Sequence, residues 1–332
     1  MNADIAAASR ELKGGGVVVL PTETVYGLAA NALDGEAVRK IFTIKGRPLN
    51  NPLIVHVLDS SWLERYGHVK KYSIRIEKIT GAFWPGPITI ILPKKTIIPD
   101  IVTAGFNTVA IRCPDHPIFR AVLRAADLPL AAPSANPFGY VSPTCIGQVK
   151  ATLGDRVKIM LDGGECAVGL ESTILDITGP VPKILRPGAI TADVISNVLG
   201  EDVVDYGVQI VSKTPNAPGQ LKQHYCTHTR LVLFEHGNGD LSQYFAGKTA
   251  IVFMQRTEHI DGIAKKLQLP VEAIFWFSDD GNLTGVAKNL FSTLQRLDSA
   301  GYDTILCERP QRKGIGIAID DRLSRAAAKF RQ

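Results

Sequence analysis

Cysteine is scarce in this 332-residue chain, and long apolar segments are missing. The five cysteines are widely spaced and never form C-x-x-C, which argues against a disulfide framework and against a zinc site. No apolar run approaches the ~18 residues that a membrane span needs, and the N-terminus has no basic leader followed by an apolar stretch. We therefore expect a soluble, cytoplasmic protein without membrane contacts.

A strong excess of one charge and the common nucleotide-binding motifs are also absent. The 37 Lys and Arg residues exceed the 32 Asp and Glu residues by only five, a mild basic bias that does not by itself indicate nucleic-acid binding. The chain contains no G-x-x-x-x-G-K-[ST] phosphate loop, no protein-kinase motif set and no H-x-E…C-x-x-C deaminase signature. Any phosphate-bearing ligand must therefore be held in another way.

The first two thirds of the chain predict a mixed sheet. Short apolar runs bounded by Gly, Pro or Asp are typical of strands, and helical patterns interrupt them at irregular intervals. The predicted strands span residues 17–20, 53–57, 88–92, 108–112, 130–132, 159–161, 172–177 and 183–185. This irregular order favours an α/β fold with a twisted mixed β-sheet and flanking helices over a regular βαβ array.

The last third predicts a second, smaller domain. Residues 211–228 are rich in Pro, Lys, Thr and Gln with little apolar periodicity, which is typical of a linker. Four predicted strands then alternate with helices, the pattern of a small Rossmann-like α/β domain with a parallel sheet. We expect a catalytic domain at 1–205, a linker or lid at 206–228 and a C-terminal α/β domain at 229–332.

Polar side chains gather between residues 20 and 57. Thr24 lies in the turn after a buried strand, where α/β proteins commonly contact ligands. A helix then ends at Lys45, and Arg47 follows in a stiff loop that leads through Asn51 to a strand carrying His56. A cation at a helix C-terminus also complements the helix dipole, which is a purely electrostatic explanation for Lys45. Together, however, a guanidinium fork and a mobile ammonium suit an anionic ligand that carries phosphate.

Two further strands carry polar groups at their ends. Thr108 begins a strand that ends at Arg112. A strand-end arginine is more often a solvated charge, but one that faced the crevice would pair with a carboxylate through two bonds. Ser134 and Asn136 lie in a turn of small residues, which let a ligand approach the backbone closely. Ser134 lacks the flanking glycines of the hydrolase motif G-x-S-x-G, so we assign no covalent nucleophile.

Glu171 allows two interpretations. It is followed directly by the hydroxyl of Ser172, and a strand-terminal arginine, Arg186, comes shortly afterwards. A carboxylate there could hold Mg²⁺ or could pair with a nearby cation, and the second is favoured because no Asp pair accompanies it.

The chain carries, in this order, the motifs P-T-E-T-V-Y-G-L, K-x-R-P with N-P-L-I-V-H, W-P-G-P, N-T-V-A-I-R, A-A-P-S-A-N, S-P-T, G-x-E-S-T-I and L-R-P-G. Over roughly residues 5–200 this series closely resembles the YrdC-like threonylcarbamoyl-AMP synthases. The linker that ends in His224 and Tyr225, and the following domain with G-I-G-I-A-I, resemble the long two-domain form of this family.

The resemblance implies a nucleotidyltransferase that joins L-threonine, bicarbonate and ATP into threonylcarbamoyl-AMP and releases pyrophosphate, with Mg²⁺ entering with ATP and no metal bound directly by the protein. Downstream tRNA threonylcarbamoyl transferase proteins would use the product to form N6-threonylcarbamoyladenosine beside the anticodon, and direct tRNA binding would not be required. The resemblance assigns catalytic roles to Lys45, Arg47, Ser134 and Asn136. It assigns ATP binding to Lys45, Arg47, Asn51, Thr108, Ser134, Asn136, Ser142, Arg186 and Tyr225, and L-threonine binding to Thr24, His56, Arg112, Ala132 and Ser172.

Two other functions are compatible with parts of the sequence. An RNA-binding protein would need a broad basic surface, whereas the cations here follow strands towards the interior. A carbamoyl transferase of the hydrogenase-maturation type contains a related domain, but its acylphosphatase-like and zinc-finger segments are missing from this sequence.

Overall fold

The computed structural model describes residues 3–205, 223–237, 241–245, 247–256 and 258–330. These residues form two compact units. The second unit includes residues 139–141 and 168–170 together with the described residues from 223 onwards, and the first unit holds the rest. Residues 206–222, which are most of the predicted linker, lie outside the described residues, and the predicted domain limits at 205 and 229 stay predictions.

The first unit is a mixed sheet of nine strands accompanied by eight helices in the described residues. The strands are β1 (Val18–Leu20), β2 (Gly27–Asn31), β3 (Ile54–His56), β4 (Ile88–Pro93), β5 (Thr108–Arg112), β6 (Leu130–Ala131), β7 (Ile159–Met160), β8 (Thr173–Asp176) and β9 (Lys183–Arg186). The helices are α1 (Ala3–Lys13), α2 (Gly35–Lys45), α3 (Leu63–Tyr66), α4 (Ser73–Phe83), α5 (Asp100–Thr103), α6 (Pro117–Ala126), α7 (Ile146–Leu153) and α8 (Ala192–Leu199).

The strand order across this sheet is β7-β1-β2-β6-β3-β5-β4-β8-β9. Strands β1 and β7, β3 and β5, and β4 and β8 pair in parallel, and the other neighbours are antiparallel. Strands β3 and β5 therefore lie side by side in the middle of the sheet with their carboxyl ends at the same edge.

The two faces of the sheet are covered differently. Alternate residues of a strand point to opposite faces. Val19 belongs to the core cluster that includes residues of α2, α3, α4, α5, α7 and α8, whereas Val18 and Leu20 belong to the cluster that includes residues of α1 and α6. On the face that carries Val18 and Leu20, the apolar cluster that includes residues of α1 and α6 extends across the sheet only as far as β6. Beyond it, the buried apolar cluster in the described residues consists of strand residues alone, from β3, β5, β4, β8 and β9.

Helix α2 has well-defined ends that fix the position of its last residue, Lys45. The Asp34 side chain accepts hydrogen bonds from the amides of Glu36 and Ala37 and so caps the first turn. At the other end Gly46 adopts a left-handed conformation with φ 63°, which lets the chain leave the helix at once.

The second unit contains a parallel sheet of four strands in the order β10-β13-β11-β12. Its strands are β10 (Arg230–Phe234), β11 (Thr249–Gln255), β12 (Ile274–Ser278) and β13 (Thr304–Glu308), and its helices are α9 (Ile260–Leu267), α10 (Leu283–Asp298) and α11 (Gly316–Ala327). None of the helices in the described part of either unit has the length and apolar character to cross a membrane.

The predicted fold class, a mixed α/β sheet followed by a smaller domain with a parallel sheet, is confirmed. Strand β2 was not predicted, because its sequence G-L-A-A-N lacks the branched and aromatic residues that mark a strand. It nevertheless pairs with both β1 and β6, and small side chains are compatible with this fully buried position.

We predict that Asp34→Ala lowers the free energy of unfolding by about 1 kcal/mol, because the two amides at the start of α2 lose their acceptor. Asp34→Asn is the matched control, since its side-chain oxygen can still cap the helix. Denaturant unfolding of both variants measures the difference. A loss in the asparagine variant as large as in the alanine variant would show that the charge, and not the cap, stabilises this end of the helix.

Candidate active site

A row of polar residues crosses the middle of the first sheet. The strand register pairs His56 with Arg112 and Arg112 with Thr89. Residues paired directly across neighbouring strands project from the same face, so these three side chains lie together. Thr108, four residues before Arg112 on the same strand, projects from that face as well. On this face α6 contacts β3 through Phe119, whose ring packs against His56, whereas the buried apolar cluster over β3 and β5 in the described residues consists of strand residues alone.

Arg112 is buried and makes a short ion pair. Its Nη2 atom lies 2.6 Å from Oε1 of Glu23 and donates a second hydrogen bond of 3.0 Å to Oγ1 of Thr24. The carboxylate is also buried, and its Oε2 atom accepts from the amide of Asp115. The Nε atom of Arg112 has no hydrogen-bond partner among the described residues. Both hydrogens of Nη2 are therefore engaged, whereas the other nitrogens of the guanidinium can donate hydrogen bonds to a ligand.

The turn between β1 and β2 brings Glu23 and Thr24 to Arg112. Oγ1 of Thr22 accepts from the amides of Thr24 and Val25, which closes the turn locally. The same hydroxyl donates its hydrogen to the carbonyl of Val25. In the bond between the two threonine hydroxyls Thr24 is therefore the donor, and its oxygen accepts a hydrogen bond from Arg112. The sequence motif T-E-T thus fixes the orientation of the arginine.

His56 is neutral in this position. Its Nδ1 atom lies 3.3 Å from the carbonyl of Leu130, and its ring packs against Phe119 with 5.1 Å between the ring centroids. Burial, followed by the charge of Arg112, lowers the pKa of His56 to about 3. Because a neutral ring with a carbonyl at Nδ1 carries its proton there, Nε2 is the atom that can accept a hydrogen bond.

Lys45 ties α2 to the turn after β6. Its buried ammonium donates to the backbone carbonyls of Ser134 and Asn136. The side-chain amide of Asn136 in turn donates to the carbonyl of Pro137. Burial, then the nearby charge of Arg47, holds the pKa of Lys45 well below its usual value. With two of its three N–H groups bound to the described residues, Lys45 retains one donor for a ligand.

Arg47 and Asn51 lie in the loop between α2 and β3. Arg47 donates from Nε to the carbonyl of Asn51 and from Nη2 to that of Pro52, and its guanidinium lies 6.0 Å from the centre of the Phe138 ring. The side chain of Asn51 is fully buried, and neither its oxygen nor its nitrogen has a hydrogen-bond partner among the described residues. Buried amides are seldom left so, because each unpaired group costs about 1–3 kcal/mol.

Ser172 and Arg186 form a second cluster on the other side of Thr89. Nε and Nη2 of Arg186 donate to the carbonyl of Ser172, and Nη2 also lies 3.1 Å from its hydroxyl. That hydroxyl is 2.7 Å from the hydroxyl of Thr89.

Glu171 accepts a 2.6 Å hydrogen bond from Ser142, and both residues are buried. In the described residues no group of three His, Cys, Asp or Glu side chains could hold a metal ion.

The structure thus places most of the predicted residues in the first unit on or beside one face, while Tyr225 belongs to the second unit. Ala132 is buried directly after β6, two residues before Ser134. Tyr225 is buried against Phe291, with the guanidinium of Arg322 5.3 Å from the centre of its ring. Its predicted closure over the nucleotide stays a prediction.

Two residues of the site were missed from the sequence. Glu23 was visible inside the motif P-T-E-T-V-Y-G-L, but nothing in one sequence shows that its carboxylate meets a strand 89 positions away. Thr89 was hidden in an apolar strand, and only the strand register places it between Arg112 and Ser172.

Comparisons with known proteins agree along the whole chain. The Sua5/YciO/YrdC family model, described as "Telomere recombination", matches residues 10–188, and the model of the C-terminal domain of threonylcarbamoyl-AMP synthase matches residues 190–328. The threonylcarbamoyl-AMP synthase of Pyrococcus abyssi is 36% identical over 326 residues, which cover 97% of this chain and 94% of that protein. The one of Bacillus subtilis is 38% identical over 97% of this chain and 92% of its own length.

A solved structure shows the same architecture. The crystal structure of P. abyssi Sua5 complexed with L-threonine has a TM-score of 0.85 at 34% identity, and the match covers 97% of this chain and 94% of that one. Fold and site together define a two-domain α/β enzyme with a row of buried polar residues on one face of its larger sheet. The chain belongs to the Sua5/YciO/YrdC family, as a threonylcarbamoyl-AMP synthase of the long form.

We predict that His56 makes the protein less stable in acid. Its pKa falls from 6.5 to about 3 on folding, so the unfolded chain binds a proton that the folded protein does not, and stability is lost as the pH falls from 6.5 towards 3. Between pH 6.5 and 5 the wild type should lose about 2 kcal/mol more than His56→Gln. Urea unfolding at both pH values measures this.

The exposed His68 provides the matched control. His68→Gln should show the same loss of stability with falling pH as the wild type. Equal slopes for His56→Gln and the wild type would contradict the prediction.

Proposed function

We propose that this protein binds L-threonine and ATP on the face of its nine-stranded sheet that carries His56 and Arg112, and joins them, with bicarbonate, into threonylcarbamoyl-AMP with release of pyrophosphate. The activity is that of its family. The observation that carries the assignment to this face is the strand register, which aligns His56 with Arg112 on the same side as Thr108.

The amino-acid half of the site lies at the carboxyl ends of β3 and β5. Arg112 offers unused donors for the carboxylate of threonine, and Thr24 holds the guanidinium in place. Neutral His56 offers Nε2 as an acceptor for the amine or the hydroxyl of threonine. P. abyssi Sua5, which shares this fold, has been solved in complex with L-threonine.

The nucleotide half of the site lies between the loop after α2 and the turn after β6. Lys45 keeps one N–H donor, and the unpaired amide of Asn51 would gain partners from a ligand that carries both donors and acceptors. The family resemblance also assigns to ATP binding Arg47, Thr108, Ser134, Asn136, Ser142, Arg186 and Tyr225.

We expect Mg²⁺ to enter with ATP. Hard oxygen ligands suit this ion, which usually keeps several waters and binds through substrate phosphates. The donor set fits such a mode, because no three carboxylate, histidine or cysteine side chains are grouped in the described residues. When bound, the ion would offset the charge of the phosphates.

The proposed reaction has three steps. Bicarbonate first loses hydroxide to give CO₂. The neutral amine of threonine then forms an N–C bond to this carbon while one C=O π bond opens, and the proton that the nitrogen loses combines with the hydroxide to form water, which leaves an N-carboxy anion. An oxygen of this anion then attacks the α-phosphorus of ATP, the bond to the β-phosphate oxygen breaks, and pyrophosphate leaves. Positioning and charge neutralisation by Lys45, Arg47 and Arg186 would supply most of the acceleration. Downstream tRNA-modifying proteins would then consume the product.

The test is pyrophosphate release from ATP, measured with and without L-threonine and bicarbonate. We expect release only when both are present. Release that is indifferent to threonine would overturn the proposal.

Arg112→Lys should raise the KM for threonine by about 10- to 100-fold, because a point charge replaces the planar donor group, while the KM for ATP changes little. Steady-state kinetics with each substrate varied in turn measures both constants. Arg124→Lys, at an exposed position of α6, is the matched control and should leave both unchanged. An unchanged threonine KM in Arg112→Lys would remove Arg112 from the amino-acid half of the site.

A further inference from the structure

Glu23 is a buried acid at the amino-acid end of the site, and none of the proposed reaction steps involves it. Both its oxygen atoms are engaged: Oε1 with Nη2 of Arg112 at 2.6 Å and Oε2 with the amide of Asp115 at 3.1 Å. A carboxylate offers about four lone-pair positions, so two remain after these bonds. Glu23 can therefore accept further hydrogen bonds without leaving its present partners.

The position of Glu23 also determines how Arg112 can bind a carboxylate. Both edges of a guanidinium that can form two parallel bonds to a carboxylate include Nη2. Here the two hydrogens of Nη2 already point to Glu23 and Thr24. An incoming carboxylate must therefore use Nη1 or Nε unless one of these bonds breaks, and it comes to lie beside the carboxylate of Glu23.

Two carboxylates at one guanidinium repel each other unless another positive charge separates them. L-threonine carries that charge itself, because its ammonium group and its carboxylate are attached to the same carbon. A carboxylate held at Arg112 thus keeps the ammonium within reach of Glu23. His56 is neutral and cannot replace either charge.

We propose that Glu23 binds the ammonium group of L-threonine, so that the buried pair of Arg112 and Glu23 recognises the zwitterion of an α-amino acid as a unit. The inference rests on the proposed function and adds to it the residue that distinguishes an amino acid from the corresponding hydroxy acid. Charge-assisted hydrogen bonds of this kind are among the stronger ones in proteins.

The test compares two ligands in two proteins by calorimetric titration of the full-length chain. The ligands are L-threonine and 2,3-dihydroxybutyrate of the same configuration, which has a hydroxyl in place of the ammonium group. The wild type should bind threonine about 10- to 100-fold more tightly than the analogue. In Glu23→Gln most of this difference should disappear, because threonine affinity falls while analogue affinity holds or rises.

Three results would count against the proposal. If Glu23→Gln lost the same affinity for both ligands, Glu23 would only support Arg112. If the variant still preferred threonine to the analogue as strongly as the wild type does, Glu23 would not contact the ammonium. Equal binding of both ligands by the wild type would remove the selectivity that Glu23 is proposed to provide. If the wild type bound neither ligand, the proposed function itself would fail.

Two further variants serve as controls for this test. Glu23→Asp retains the charge on a shorter side chain, so it should keep part of the discrimination even if the glutamine variant folds poorly. Glu36→Gln replaces an exposed glutamate of α2 and should behave like the wild type. Discrimination lost equally in Glu23→Asp and Glu23→Gln would show that the precise placement, and not the charge alone, is required.

Discussion

The buried guanidinium of Arg112 is the constraint on which the site depends. A charge in the interior of a sheet must be paired, because taking it out of water costs several kcal/mol. The turn between β1 and β2 supplies that pairing through Glu23 and Thr24, and the turn is itself closed by the hydroxyl of Thr22. Arginine, turn and strand therefore hold each other in one arrangement, which includes the neutral state of His56.

Uneven covering of the sheet explains why the site lies where it does. Helices α1 and α6 bury one face over β1, β2 and β6, and α6 reaches β3 only through Phe119, while the buried apolar cluster over β3 and β5 in the described residues consists of strand side chains. Polar residues can project there without entering the main core on the opposite face. The carboxyl ends of two parallel strands thus carry buried polar side chains, at the edge where α/β proteins usually bind ligands.

The sequence was sufficient to predict the fold class and the strands of the first sheet other than β2, because apolar runs and turn residues act locally. Strand β5 was predicted with the bounds that the structure gives it. What could not be predicted depends on contacts between distant segments. The partner of Arg112 is fixed by a turn near the N-terminus, and the place of Thr89 is fixed by strand order, neither of which leaves a periodic signal. For the same reason β2, with its small residues, was missed.

Polar atoms that already have hydrogen-bond partners hold the site in place, whereas buried polar atoms that lack partners are the ones that a ligand can bind. Cations such as Lys45 and Arg47 are anchored by backbone carbonyls, so their orientation does not have to be established when a ligand arrives. The amide of Asn51 and Nε of Arg112, by contrast, are buried without partners among the described residues. Because folding alone would not favour leaving these atoms unpaired, their presence supports the proposal that bound substrates complete the hydrogen bonding of the site.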